Sequence, residues 1–303
     1  MTTNIPASVR TRLFNRAKKE STEFQTLLVR FAIERILYRL CMHAARERFV
    51  LKGAMLFTAW PESTPRPTGD LDLLGQGSPD AEAMIALFSE IGAINLPADG
   101  ILFPREEISA EQLREDEEYQ GLRIKIVALL DGARIPFKID IGFGDFVHPR
   151  PAEMTFPTLL EDMPPPIITA YRPATVVAEK FEAMIRFGLS NGRLKDYYDL
   201  REIARTFHFS RGELVHAING TLERRQTVRP SEMPAGLTVS FSLLQEKQRL
   251  WTAFLRRHAP HQSSLSLDEV VTELAEFLGP VIQQLSTPET ALGSWSPQQG
   301  WAS

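Results

Sequence analysis

Two aspartates separated by one residue, Asp70 and Asp72, lie inside the apolar run "RPTGDLDLL" at residues 66–74. In a β-strand, residues i and i+2 point to the same face, so the two carboxylates project side by side while Leu71 and Leu73 turn to the core. Two anions held that close repel each other. Water relieves the repulsion on an open face, and a divalent cation relieves it in a pocket, where oxygen ligands suit Mg²⁺ or Mn²⁺. A half-buried strand with a solvated acidic face satisfies the same alternation. The pattern alone leaves both readings open.

Other residues bear on the choice. In "RIPFKIDIGFGD", alternation sets Lys138 and Asp140 on one face and Ile139 and Ile141 on the other, giving a third carboxylate inside an apolar strand. In "RFVLKGAMLF", Lys52 and Gly53 stand where a short strand turns into a helix, a place where backbone N–H groups and the helix dipole face an anion. Further on, Lys180 lies in one expected helix. In the next, Arg193, Asp196, Asp199 and Leu200 fall on one stripe. Residues 180–211 hold seven basic and four acidic residues, an excess suited to a triphosphate or to RNA phosphate. A helix pair tied by ion pairs without any ligand is the competing account, and Asp199 is read as structural. Lys125 and Lys138 are within reach of phosphate only if the sheet faces it.

These residues need elements to hold them. Helical spacing is expected over 7–20 and 23–47, a strand over 49–51, the Asp-x-Asp strand, and a helix over 78–91. "YQGLRIKIVALL" and "RIPFKIDIGFGD" around Asp131-Gly132 predict a β-hairpin. "REEISAEQLREDEE", with seven acidic and two basic residues, reads as an exposed acidic connection. "FPTLLEDMPPPIITAYRP" reads as a linker between lobes. Helices are expected over 176–189, 194–207, 211–225, 243–258 and 267–285. Residues 286–303, poor in apolar content, are expected to be disordered.

Composition narrows the class. The 303 residues are 43% hydrophobic and 24% charged, enough for one large domain or two ordinary ones, and the net charge of −4 argues against a wholesale polyanion binder. Residues 1–48 nevertheless carry ten Lys/Arg against four Asp/Glu, which marks the N-terminal helices as a place for phosphate contacts or simply a solvated face. The single cysteine, Cys41, excludes an intrachain disulfide and a cysteine-based zinc cluster. The first twenty residues lack the apolar core of a signal peptide, and no run approaches a membrane span, so a cytoplasmic location without a membrane partner is expected.

Gly53 at a strand-to-helix turn, a loop with Arg66, Asp70-x-Asp72 on one strand and Asp140 on another have the layout of a nucleotidyltransferase palm, in which carboxylates hold metal ions at a triphosphate. "FVLKGAMLF", "RPTGDLDLLG", "FKIDIGFGD" and "VVAEKFEAMIRFGLSNGRLKDYYDL", in that order, resemble the AbiEii/AbiGii toxin family of nucleotidyltransferases, which includes the MenT toxins of type IV toxin–antitoxin systems. The resemblance spans roughly residues 7–205. It implies an α+β fold, with a nucleotidyltransferase-type mixed sheet, flanking helices and a C-terminal helical lobe. Domains at 1–160 and 161–285 follow.

The resemblance further implies metal-dependent transfer of a nucleotide from an NTP, CTP or another pyrimidine in several members, to an RNA acceptor. Several members add to the 3′ acceptor end of tRNA and so block aminoacylation, which makes that end the expected acceptor and blocked translation the expected result. A cognate antitoxin encoded nearby and a role in phage defence come with it. Residue by residue, it implies Asp70, Asp72, Lys180 and Asp196 as catalytic. Lys52, Gly53, Ala54, Arg66, Lys180 and Arg193 are implied at the nucleotide, and Asp70, Asp72 and Asp140 at Mg²⁺ or Mn²⁺. Ala54 departs from the family's frequent Ser or Gly, which removes a hydroxyl but keeps the backbone N–H. Transfer to a protein or small-molecule hydroxyl, and a non-catalytic binding module of the same fold, are the alternatives.

Overall fold

The computed structural model describes residues 4–60, 68–115, 119–287 and 292–302. Contacts divide the chain into two units, one built from residues 4–60, 68–144 and 152–170, the other from 145–151 and 171–302.

The first unit begins with α1 (Ile5–Lys19), whose cap Asn4 accepts the Ala7 N–H at 3.2 Å, and whose Val9, Leu13 and Ala17 are buried at one-turn spacing. α2 (Phe24–Met42) is buried on most of its circumference. Its charges there are paired, as burial demands: Arg39 meets Asp99 at 2.6 Å, and Glu34 accepts the Leu159 N–H at 2.6 Å. Then come β1 (Phe49–Lys52), the single turn α3 (Leu56–Ala59), β2 (Asp70–Gly75), α4 (Ala81–Gly92), β3 (Ile108–Glu115), β4 (Tyr119–Leu130), β5 (Ala133–Phe143), β6 (Ala152–Thr155) and β7 (Ile167–Ala170). They form a seven-stranded sheet in the order β3-β4-β5-β2-β1-β7-β6. β2/β5 and β1/β7 are parallel and the other neighbours antiparallel, so the sheet is mixed. α2 packs on β5 and β7, and also against α1 and α4. Leu71, Leu73, Leu122, Ile124, Ile139 and Ile141, each at most 1% exposed, form the sheet's contribution to the core.

Three expectations are corrected. The acidic stretch at 105–118 is not a plain connection, since residues 108–115 form β3. It lies at the end of the sheet, and charged residues such as Glu111 on an edge strand discourage pairing with other chains. The supposed linker supplies β7, paired with β1 through Leu51 and Ala170, and buries Leu159, Leu160 and Met163. Residues 161–170 therefore belong to the first unit. The helix expected directly after Gly53 is a 3₁₀ turn, Gly53–Met55, followed by the four residues of α3, too short to build much of a dipole.

The second unit is the helical lobe: α5 (Pro173–Phe187), α6 (Leu194–Thr206), β8 (Phe209–Ser210), α7 (Arg211–Arg224), α8 (Val239–Ser242), α9 (Gln245–His258) and α10 (Leu267–Gln283). Tyr197, Tyr198, Phe241 and Phe277 fill its core. Ser266 and Glu269 form a capping box at the start of α10. The tail expected to be disordered contains a hairpin, β9 (Ser294–Ser296) and β10 (Gly300–Ala302), with β9 paired to β8. Its low apolar content hid two tryptophans. Trp301 stacks on Phe277 and donates to the Phe277 carbonyl at 2.8 Å, while Trp295 donates to the Ala204 carbonyl at 2.7 Å. Among the described residues, no helix is long and apolar enough to cross a membrane.

Candidate active site

Alternation along β2 buries Leu71 and Leu73 and leaves Asp70 and Asp72 half-exposed on the opposite face. The pairing register extends that face over five strands. Glu111, Arg123, Asp140, Asp72 and Lys52 stand opposite one another in a row from β3 to β1, and Ser109, Lys125, Lys138 and Asp70 form the row beside it. Lys138 Nζ lies 3.4 Å from Asp70, and Lys125 reaches Glu111 at 2.6 Å.

Gly53 adopts φ +71° beside this row. A Cβ placed there would sit 2.6 Å from the Asp72 carboxyl carbon and closer still to its oxygen. Only glycine permits both the left-handed backbone and this approach. Ala54, next in the 3₁₀ turn, is buried. Arg66 lies outside the described residues.

Asp140, expected with Asp70 and Asp72 at the metal, is adjacent to Asp72 in register but gives both oxygens to Arg123, at 2.8 Å each. The bidentate bond to Asp140, with Asp70 and Glu111 adding attraction at longer range, holds the Arg123 guanidinium further above its ordinary pKa, against the cost of burial. Among the described residues, no group of three or more His, Cys, Asp or Glu side chains is arranged to hold a metal ion. Arg123 had escaped sequence reasoning, although its signal was available: the Asp131-Gly132 turn fixes the β4–β5 register and sets Arg123 opposite Asp140.

The other expected residues meet within the helical lobe. Lys180 on α5 donates to Asp196 at 2.6 Å and to Asp199 at 2.9 Å, both on α6, and Arg193 holds the second oxygen of Asp196 at 2.8 Å. Both aspartates are 1% exposed and Lys180 13%. Burial works against the charges of Lys180 and Asp196, yet their partners outweigh it. The Lys180 pKa is raised by the two aspartates, and that of Asp196 is lowered by Lys180 and Arg193. Asp199 is thus a direct partner of Lys180, as Asp196 is. A second network passed over in the sequence buries Arg225 among Glu182 at 2.8 Å, Asp145 at 3.2 Å and Glu179 at 3.5 Å.

The basic excess of the N-terminal helices is partly consumed inside the first unit. Arg12 bonds Asp162, and Arg16 bonds Glu20 at 2.6 Å and the Leu159 carbonyl. These two, with Lys19, line a surface cavity of about 470 Å³ that also contains Glu20 and Glu161.

Two solved Helicobacter pylori structures are similar to the chain. One, described as a candidate nucleotidyltransferase, shares 14% identity at a TM-score of 0.49 and covers 87% of this chain and 97% of its own. The other, JHP933, shares 13% identity at a TM-score of 0.49 and covers 88% and 96%. No curated protein matches the sequence. The family model for the nucleotidyl transferase AbiEii toxin of type IV toxin–antitoxin systems matches residues 35–273, a span that holds both β2 and the Lys180 network. The chain belongs to the AbiEii family of nucleotidyltransferase toxins.

Proposed function

We propose that this nucleotidyltransferase moves a nucleotide from an NTP, a pyrimidine such as CTP, onto the 3′ end of an RNA, with tRNA as the acceptor and arrested translation as the result. The observation that carries the reading is the Asp70/Asp72 pair on one sheet face, with the Gly53 backbone against Asp72, in a chain of this family. Two carboxylates on alternate strand residues are a hard, oxygen-rich donor set that fits Mg²⁺ or Mn²⁺. When bound there, the metal would neutralise charge building on the transferred phosphate and the departing pyrophosphate.

The chain's own residues supply the rest. Lys52, the Gly53–Ala54 backbone and Arg66 hold the triphosphate. An ammonium has three N–H donors, and Asp196 and Asp199 take two of those of Lys180, leaving one for a phosphate oxygen. Asp196 thereby orients Lys180 and Arg193 together. A cognate antitoxin encoded nearby and a cytoplasmic location with a role in phage defence complete the reading.

Purified protein incubated with total RNA, Mg²⁺ and each labelled NTP in turn tests it. Label in the tRNA fraction from one pyrimidine NTP is expected, lost in Asp70→Asn and in excess EDTA. Label in protein or in a small molecule instead would replace the acceptor. Full turnover in EDTA, or by folded Asp70→Asn, would refute the metal pair.

A further inference from the structure

The sheet face carries three aspartates, and the register treats one of them differently. Asp70 and Asp72 share β2, while Asp140 stands beside Asp72 on β5, the position from which it would complete a three-carboxylate metal site. Both of its oxygens instead accept an N–H from Arg123, which stands opposite it on β4. A fork-to-fork bond of this kind fixes direction as well as charge. Both side chains are about a quarter exposed, at 27% and 22%, so the pair is not locked away from the site by burial. Glu111, the next residue in the row, is already bonded to Lys125 and does not compete for Arg123 at close range.

We propose that Arg123 is a positioning residue that withholds Asp140 from the metal, so that the site has two protein carboxylates, Asp70 and Asp72, and water in the place a third would take. This rests on the reading of Asp70 and Asp72 as the metal pair. Two consequences follow. Removing Arg123 alone frees Asp140 to become a ligand, tightening metal binding and displacing a water. Removing Arg123 and Asp140 together leaves the two-carboxylate site as it was, because a neutral pair has been deleted.

The test uses the full chain and Mn²⁺ as probe, with affinity read from the free-ion resonance and bound water counted by pulsed electron paramagnetic resonance. Asp70→Asn reports on the underlying reading: loss of at least about tenfold in affinity is expected, and wild-type binding would sink the metal pair itself. Arg123→Met keeps the stem and is expected to bind Mn²⁺ at least about tenfold more tightly with fewer bound waters. Lys138→Met removes a neighbouring cation without freeing Asp140, so it should tighten binding with the water count unchanged. Arg123→Met/Asp140→Asn should match wild type in both readings. An unchanged water count in Arg123→Met, or an affinity loss of about tenfold or more in the double variant, would overturn the proposal, since either result means Asp140 already serves the metal or never can.

Discussion

Lys180→Met removes the cation that bonds both Asp196 and Asp199, and its effect on the fold is large. Charge-assisted hydrogen bonds of 2.6 and 2.9 Å are each worth about 1.5–3 kcal/mol. Breaking a buried pair while leaving its carboxylates in place costs about 3–5 kcal/mol. Arg193 still compensates Asp196 in the variant, which favours the lower half of that range. For a unit of this size the melting temperature should fall by on the order of 10 °C.

The sign with pH follows from the shifts. Asp196, lowered from 3.8, stabilises the wild type fully above that value and ceases to do so as pH falls through its depressed pKa. Lys180, raised from 10.5, contributes below that value and is lost as pH rises past its elevated one. Between these limits the wild type should therefore exceed the variant by a constant margin that narrows in acid, where the variant's carboxyls protonate at less cost. Thermal and urea melts of both proteins from pH 3 to 9 measure this. The triple variant Lys180→Met/Asp196→Asn/Asp199→Asn should recover much of the loss, because no buried charge remains uncompensated. A single variant that melts within a degree of wild type at pH 7 would refute the reasoning. Loss of transfer in Lys180→Ala becomes evidence for a phosphate contact only after its stability has been measured, with a fall in kcat at saturating NTP and intact fold as the telling result.

Gly53→Ala forces a left-handed backbone, at about 1–2 kcal/mol, and drives a methyl group into Asp72. Transfer should drop at least about tenfold while the melt shifts by only a few degrees, and unchanged transfer would remove Gly53 from the site. Burial pushes the Cys41 thiol up to about 11. At pH 8 it should react with a maleimide on the order of a hundredfold more slowly than in urea, and equal rates would show the thiol to be accessible and ionised. Trp301→Ala deletes the stack on Phe277 and the bond to its carbonyl, and should cost about 2–3 kcal/mol in urea unfolding, less than a fully enclosed tryptophan.

The elements most legible in the sequence were those whose signal is local. The Asp131-Gly132 turn, with φ of 45° and 77°, joins β4 to β5 as its sequence predicts. The Asp-x-Asp alternation gives the two faces of β2, and α5 and α6 begin near their anticipated positions. What escaped depends on partners distant in sequence. β7 is four residues in a Pro-rich passage and becomes a strand because β1 offers it a parallel edge. β3 is masked by acidic residues that suit the edge of a sheet. The C-terminal hairpin draws on Phe209 and Phe277 for its packing, which no window around residue 295 contains. The same holds for the site. Asp140 is legible as a carboxylate in a strand, and the hairpin register sets Arg123 opposite it, but its place beside Asp72 appears only once β5 pairs with the distant β2.

The parallel pairing of β2 with β5 sets the order in which this protein can become dangerous to the cell that makes it. Asp70 and Asp72 emerge early in synthesis, but the strand that flanks them ends at residue 143, and β7, which closes the other side of β1, ends at residue 170. A ribosome-bound chain that ends before residue 143 carries both aspartates on a strand still missing β5, so their spacing from the Arg123 fork is undefined, and until residue 170 the outer edge of β1 behind Gly53 is open. Parallel neighbours this far apart in sequence pair late, after the loop between them has closed. Truncated products of interrupted translation would hold the acidic motif intact and yet be harmless, leaving the finished chain as the species an antitoxin has to meet.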